Sequence, residues 1–298
     1  MKTTLKDLLK KNNAILLAHN YQPPEIQDLA DLCGDSLELS IKASQTNADV
    51  IVFCGVQFMA ETASILCPDK TVLLPQPDAG CPMADMVTPE KLKQKLTELP
   101  PMPVVTYVNS TAAVKALSTI CCTSANAVDV VNSLAEQELL MIPDRNLAQY
   151  TASRTNKKIH LWDGFCPFHN NLTVAALEKA KAAHPAADVM IHPECPPDAI
   201  ALADTVQSTS GMLRYARQSD KTEFIVATEV GMLYPLKKEM PHKNFYPASE
   251  KMICPDMKKI TVDDIITSLE NRTGQVNVPE EIRQPALAAV RKMINLSL

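Results

Sequence analysis

Short apolar runs that end abruptly in polar, chemically capable side chains recur three times along this 298-residue chain. Ala14–Ala18 runs into His19, Asn20 and Tyr21; Val104–Thr106 into Tyr107, Val108 and Asn109; Val189–Ile191 into His192, Pro193 and Glu194. A second short run follows each and closes on hydroxyls: Cys33-Gly34-Asp35-Ser36, Cys121-Cys122-Thr123-Ser124 and Val206-Gln207-Ser208-Thr209. Third runs (Val50–Phe53, Leu139–Ile142, Phe224–Ala227) lead into helical stretches starting near Gln57, Asn146 and Gly231. A fourth set (Val72–Leu74, Ile159–Trp162, Phe245–Tyr246) comes shortly before a Cys-Pro pair. The repeat is about 85 residues long, and each unit reads β-α-β-α-β-α-β.

Short continuous apolar strands alternating with helices predict parallel sheets, buried on both faces and joined by right-handed crossovers. The expected fold is therefore α/β: three αβα lobes, each with a short four-stranded parallel sheet, around a pseudo-threefold axis and a central active site. The lobes are expected at residues 1–87, 88–170 and 171–298, the last carrying C-terminal helices. Open α/β sheets bind ligands at the carboxyl ends of their strands, which is where His19, Asn109 and Glu194 fall. Ser36 and Ser124 begin the helices that follow, and Ser208 and Thr209 hold the matching place in the third unit. A hydroxyl-capped helix N-terminus offers N–H donors and a favourable dipole to an anion. The first dozen residues read as a short amphipathic helix without the apolar core of a signal peptide. Val262–Leu298 reads as two amphipathic helices around a Gly274–Val278 strand signal, packed against a lobe.

The Cys-Pro pairs, Cys81-Pro82, Cys166-Pro167 and Cys254-Pro255, keep the spacing of the repeat and so bring one thiol from each lobe. The chain has nine cysteines, an odd number that argues against a disulfide framework. Cys33, Cys54, Cys121 and Cys122 lie in or beside apolar runs and read as core. Cys67 and Cys195 also precede prolines but break the spacing. Zinc ribbons and ferredoxins use compact paired cysteines, which are missing here, although His169, three residues after Cys166, keeps a Cys3His zinc site open. A [4Fe–4S] cluster on three cysteines leaves one iron without a protein ligand, a Lewis acid suited to dehydration. A net charge of −5 gives no basic surface for nucleic acid or membrane, no apolar run is long enough to span a bilayer, and the expected compartment is the cytoplasm. Phosphate-loop, dinucleotide-fingerprint, HExxH and EF-hand patterns are missing from the sequence.

With these residues in place, the segments AHNYQPPEIQDLAD, CGDSLELS, GVQFMAE, GCPMADM, YVNST, CTSANA, PDRNLAQY, CPFH, HPECP, QSTSGM, TEVGM and ICPDMKK resemble the quinolinate synthases, in the same order, from about His19 to Lys259. The resemblance implies a transferase of NAD biosynthesis that condenses iminoaspartate with dihydroxyacetone phosphate, releasing phosphate and water. It implies Cys81, Cys166 and Cys254 as ligands of one central [4Fe–4S] cluster. It assigns active-site places to His19, Tyr21, Tyr107, Asn109, His169, His192 and Glu194, and substrate-anchoring hydroxyls to Ser36, Ser124, Ser208 and Thr209. Glu194 is the expected general base and acid, His192 its positioning partner, and Tyr21 and Tyr107 proton donors. The only cations in the matching motifs are Arg145, Lys258 and Lys259. An L-aspartate oxidase or dehydrogenase is the implied supplier of iminoaspartate. An aconitase-like hydro-lyase acting on a small hydroxy-dicarboxylate would use the same open iron, and a cluster-bearing sensor or electron carrier would need none of the strand-end groups.

Overall fold

Twelve strands among the described residues form three separate four-stranded sheets, and every pairing within them is parallel. The computed structural model describes residues 4–297; Met1–Thr3, at the head of the expected first helix, and Leu298, at the tip of the last, lie outside the described residues. The first sheet holds β1 (Ala14–His19), β2 (Leu32–Gly34), β3 (Val50–Cys54) and β4 (Thr71–Leu73) in the order β2-β1-β3-β4. The second repeats that order with β5 (Val104–Tyr107), β6 (Ile120–Cys122), β7 (Glu138–Ile142) and β8 (Lys158–Leu161). The third does so with β9 (Asp188–Ile191), β10 (Thr205–Val206), β11 (Glu223–Ala227) and β12 (Asn244–Pro247). The expected α/β fold of three αβα lobes is the one observed.

The repeat reaches the level of single hydrogen bonds. In each lobe the crossover after the first strand turns back so that one side-chain oxygen takes an N–H of that strand: Asp31 from Leu16 at 2.8 Å, Thr119 from Val104 at 3.0 Å and Asp204 from Val189 at 2.7 Å. Each unit also begins with a helix ahead of its first strand: Leu5–Lys11, which the sequence announced, and Pro89–Glu98 and Val174–Ala183, which it did not. All three are N-capped by threonine, Thr4, Thr88 and Thr173, whose hydroxyls accept the backbone N–H three residues on. Such a cap is worth about 1 kcal/mol.

The lobes share one large core, and the second and third each add a smaller one of their own. The largest buried cluster combines Leu16 and Phe53 of the first sheet, Val105 and Met141 of the second, and Met190 and Phe224 of the third. The C-terminal segment adds to it. Its first helix, Val262–Asn271, packs on Leu5–Lys11. The last, Glu280–Asn295, lies against Gln57–Leu66, Ala112–Lys115 and β6. It therefore straddles the first two lobes, where packing against a single lobe was expected. The strand signal at Gly274–Val278 yields only one antiparallel bridge, Leu73 to Gln275, covering the free edge of β4. Gly274 sits at φ 74°, and a Cβ there would lie 2.1 Å from the Leu74 carbonyl oxygen, so only glycine fits. Among the described residues no helix is long and apolar enough to cross a membrane.

Candidate active site

The carboxyl ends of β1, β5 and β9 meet around one cavity with about 730 Å³ of atom-free space, its mouth included. His19 with Tyr21, Tyr107 with Asn109, and His192 with Glu194, each pair two residues apart, stand on the cavity wall. The first and third of these ends share a turn: Gln22 N–H bonds the His19 carbonyl at 2.9 Å, and Cys195 N–H the His192 carbonyl at 3.0 Å. In both, the imidazole Nδ1 accepts the N–H two residues on, from Tyr21 at 3.2 Å and from Glu194 at 3.4 Å. A neutral ring then carries its proton on Nε2, and that of His192 donates to Ser124 Oγ at 3.2 Å.

An unbroken chain of hydrogen bonds crosses all three lobes. Tyr21 Oη lies 2.6 Å from Thr228 Oγ1, and Thr228 Oγ1 lies 2.8 Å from His169 Nε2. His169 Nδ1 reaches Glu194 Oε2 at 2.7 Å, and Tyr107 Oη donates to Glu194 Oε1 at 2.7 Å. Every member is buried. An unpaired buried carboxylate would cost several kcal/mol. Two charge-assisted hydrogen bonds, each worth about 1.5–3 kcal/mol, offset that.

The three Cys-Pro loops face the same cavity. Each cysteine precedes a single turn of helix: Ala84–Met86, Pro167–Asn170 or Asp256–Lys258. Proline suits the start of such a turn because its fixed φ is helical and its missing N–H would have had no partner. Backbone N–H groups of the turn then point back at the sulfur, from Met83 and Ala84 to Cys81, from His169 to Cys166, and from Asp256 and Met257 to Cys254. Burial pushes the thiols up, Cys81 to about 12 and Cys254 to about 11, so near neutral pH they hold their protons unless a metal displaces them. N–H groups aimed at sulfur stabilise negative charge, which neutral buried thiols do not need; the donor set fits a bound metal group. Carboxylates brace the loops from behind: Asp144 takes Cys166 N–H at 3.1 Å, Glu229 takes Cys254 N–H at 3.3 Å, and Asp256 takes Gly80 N–H at 3.2 Å. Among the described residues, the one group of three or more metal-capable side chains with donor atoms close enough for a single ion is Cys166, His169 and Glu194. A Cys3His zinc centre is therefore not formed, and the more widely spaced sulfurs suit a polynuclear group.

Three of the expected hydroxyls, Ser36, Ser124 and Thr209, line the cavity; Ser208 does not. Ser208 caps the Thr209–Gln218 helix through Gly211 N–H and donates to Asp35 at 3.2 Å. The other two hydroxyl caps are corrected by the structure. Asp35, not Ser36, caps Ser36–Gln45, because the backbone is still extended at Asp35 and its carboxylate accepts the N–H groups of Leu37 and Glu38. Asn126 precedes Ala127–Ser133 without a side-chain cap, its amide oxygen being spent on Thr123. Asn109 Oδ1 is buried without a partner and is free to meet a ligand. Among the described residues, no lysine or arginine lines the cavity. Arg145 pairs instead with exposed Asp163 at 2.7 Å, Lys258 with Glu229 at 2.9 Å, and Lys259 with Asp256 at 2.9 Å.

Burial lowers His19 and His192 to about 3, with the proximity of His192 lowering His19 further and Glu194 opposing the shift in both. Burial by itself would raise Glu194, but His169, His192 and the bonds from His169 and Tyr107 outweigh it and hold the carboxyl at about 2. Burial, reinforced by the charge of Glu194, lifts Tyr21 and Tyr107 well above 10. Near neutral pH the cavity thus holds a carboxylate, two protonated phenols and neutral His19 and His192. Between their unfolded value of 6.5 and about 3, the two histidines bind protons only in the unfolded chain. Stability is expected to fall on acidification through that window, by up to about 1.4 kcal/mol per pH unit for each ring. Glu194 joins only below its unfolded 4.5. Urea midpoints between pH 6.5 and 4.5 should therefore fall, and H192N should flatten the slope; an unchanged slope in H192N would contradict this.

A family model described as Quinolinate synthetase A protein matches residues 3–295. Proteins named quinolinate synthase from Geobacter sp. (strain M21), Thermodesulfovibrio yellowstonii and Methanoregula boonei are 55%, 54% and 53% identical to the chain. These matches cover 99%, 97% and 97% of this chain and 97%, 96% and 96% of the relatives. The chain belongs to the quinolinate synthase family. Of the positions that the family motifs single out, all but Ser208 stand on the wall of the one cavity. Residues of those motifs that sequence reasoning left without a role are Thr228, Glu229 and Asp144. Their signal was faint: Asp144 and Glu229 both stand two residues beyond a third strand, a match visible only once β7 and β11 are aligned.

Proposed function

We propose that the chain makes quinolinate by condensing iminoaspartate with dihydroxyacetone phosphate, releasing phosphate and water, with Cys81, Cys166 and Cys254 holding a [4Fe–4S] cluster. The observation that carries this reading is the convergence of three N–H-supported thiols and the Glu194 network on one cavity. A cluster bound by three cysteines supplies Lewis-acid chemistry from the iron that lacks a protein ligand. The reading makes the enzyme a transferase of NAD biosynthesis, dependent on an L-aspartate oxidase or dehydrogenase for its unstable imine.

With no lysine or arginine in the wall among the described residues, the substrate's carboxylates and phosphate rest on hydroxyls and backbone dipoles: Ser36 at the N-terminus of Ser36–Gln45, Thr209 at that of Thr209–Gln218, and Ser124. Asn109 gives the amide whose oxygen is still unpartnered. Glu194 is the general base and acid, and His192 keeps it in place through its backbone N–H. His19 and His192 act as neutral donors through Nε2.

Tyr21 works through the chain behind it. When Tyr21 Oη takes a proton from a ligand, its own proton passes to Thr228, and the Thr228 proton passes to His169 Nε2. The positive charge then rests on His169, 2.7 Å from the Glu194 carboxylate. The reverse sequence returns a proton to a leaving oxygen, so Tyr21 serves both directions without forming a bare phenolate. Tyr107, bonded to the other oxygen of Glu194, donates to an enol oxygen. Thr228 is thus a positioning residue. T228V should lower kcat by about 10²-fold with KM and iron content unchanged, and T228S should restore it; a T228V enzyme with normal kcat would break the relay.

Phosphate release separates this reaction from a hydro-lyase of the aconitase kind. Anaerobic protein supplied with both substrates should form quinolinate and phosphate in equal amounts. Formation of neither would sink the assignment.

A further inference from the structure

A second, wider cavity lies against the first, with about 1090 Å³ of atom-free space including its mouth. The two share Ser124, and the wall between them is a single layer of chain. Along the His192–Glu194 segment, His192 and Glu194 line the inner cavity while Pro193 lines the outer one. Ser208 and Thr209 divide in the same way. The Ser124–His192 hydrogen bond at 3.2 Å closes the partition.

The outer cavity carries what the inner one lacks. Arg154, just past the Arg145–Ala152 helix of the second lobe, and Arg214, on Thr209–Gln218 of the third, both line it. Arg154 stacks over Tyr150 and makes no ion pair among the described residues. Arg214 has only a 3.8 Å approach to half-exposed Glu38, too loose and too wet to hold it. The one carboxylate in the lining among the described residues, Asp204, is already engaged with Val189 N–H at 2.7 Å. A third cavity meets the inner one beside Cys81 and is acidic, lined by Glu61, Asp78 and Asp85. A chain of net charge −5 repels anions as a whole, and of these two approaches only the one through the outer cavity reverses that locally. Guanidinium groups recognise phosphate and carboxylate through paired N–H donors.

We propose that the outer cavity is an anion-capturing vestibule, in which Arg154 and Arg214 take up small phosphate and carboxylate anions before they pass Ser124 into the inner cavity. That these anions are the substrates rests on the function proposed above; the capture site itself does not.

The test is a calorimetric titration of inorganic phosphate, and separately of malonate, into holoenzyme saturated with quinolinate to block the inner cavity. Wild type should bind both anions saturably and more weakly as ionic strength rises. Arg154→Ala/Arg214→Ala should bind each at least about tenfold more weakly, and Arg154→Lys/Arg214→Lys should recover most of the loss. Both side chains are exposed, so these variants keep the fold, and an unchanged melting temperature checks it. No saturable binding by wild type, or equal binding by the double alanine variant, would overturn the vestibule. A wild-type chain that makes no quinolinate would instead sink the functional reading, while the arginine dependence of phosphate binding would still decide the vestibule.

Discussion

Replacing Cys81, Cys166 or Cys254 by serine is expected to leave folded protein stripped of its iron and sulfide, whereas C33S keeps both in full. Each of the three sulfurs sits at the start of a helical turn whose N–H groups are aimed at it, so charge on that sulfur is already provided for. A serine hydroxyl keeps the turn but is a poor substitute for a soft thiolate toward iron. Cys33 spends its thiol on the Gln27 carbonyl at 3.2 Å and has no place on the cavity wall. Iron and sulfide counts on anaerobically purified variants make the comparison. Wild-type iron in C254S would refute the ligand assignment.

E194Q is expected to lose nearly all quinolinate formation, about 10²–10⁴-fold in kcat, with iron content unchanged. Glutamine keeps the shape and can still accept from Tyr107. It cannot take a proton, and it removes the negative charge beside which His169 would carry the charge arriving from Tyr21. One oxygen of the carboxylate becomes an NH2 group, so either the His169 bond or the Tyr107 bond must reverse its direction or be lost. Loss of activity with the cluster kept separates this role from that of a ligand. An active E194Q enzyme would place the proton chemistry elsewhere.

Much of this site was legible in the sequence because its signals are local. An apolar run that stops at His19, Tyr107 or His192 fixes a strand end, and Tyr21, Asn109 and Glu194 follow two residues later on the same cavity wall, the first and third by way of a turn. The regular Cys-Pro spacing carried the pseudo-threefold arrangement, since one loop per repeat is one loop per lobe. What stayed hidden depends on contacts across the chain. Thr228 is an ordinary hydroxyl in sequence; its meaning comes from Tyr21, 207 residues away, and His169, 59 residues away. The cap of Ser36–Gln45 was misplaced by one residue because Asp35 and Ser36 are both good caps, and only backbone geometry decides between them. The helices that open the second and third lobes each bury a single leucine, Leu92 or Leu177, too little apolar signal to mark them, whereas Leu5, Leu8 and Leu9 marked the first. Arg154 and Arg214 fall outside every motif, and nothing short of the folded lobes brings them to one cavity.

The most direct single measurement combines iron and sulfide counts with a quinolinate assay on the same anaerobic preparation, before and after removal of the metal by a chelator. The expected result is about four irons and four sulfides per chain, with quinolinate formed by the loaded protein and lost with the iron. Quinolinate formed at full rate by metal-free protein, or a fully loaded protein that forms none, would contradict the central claim.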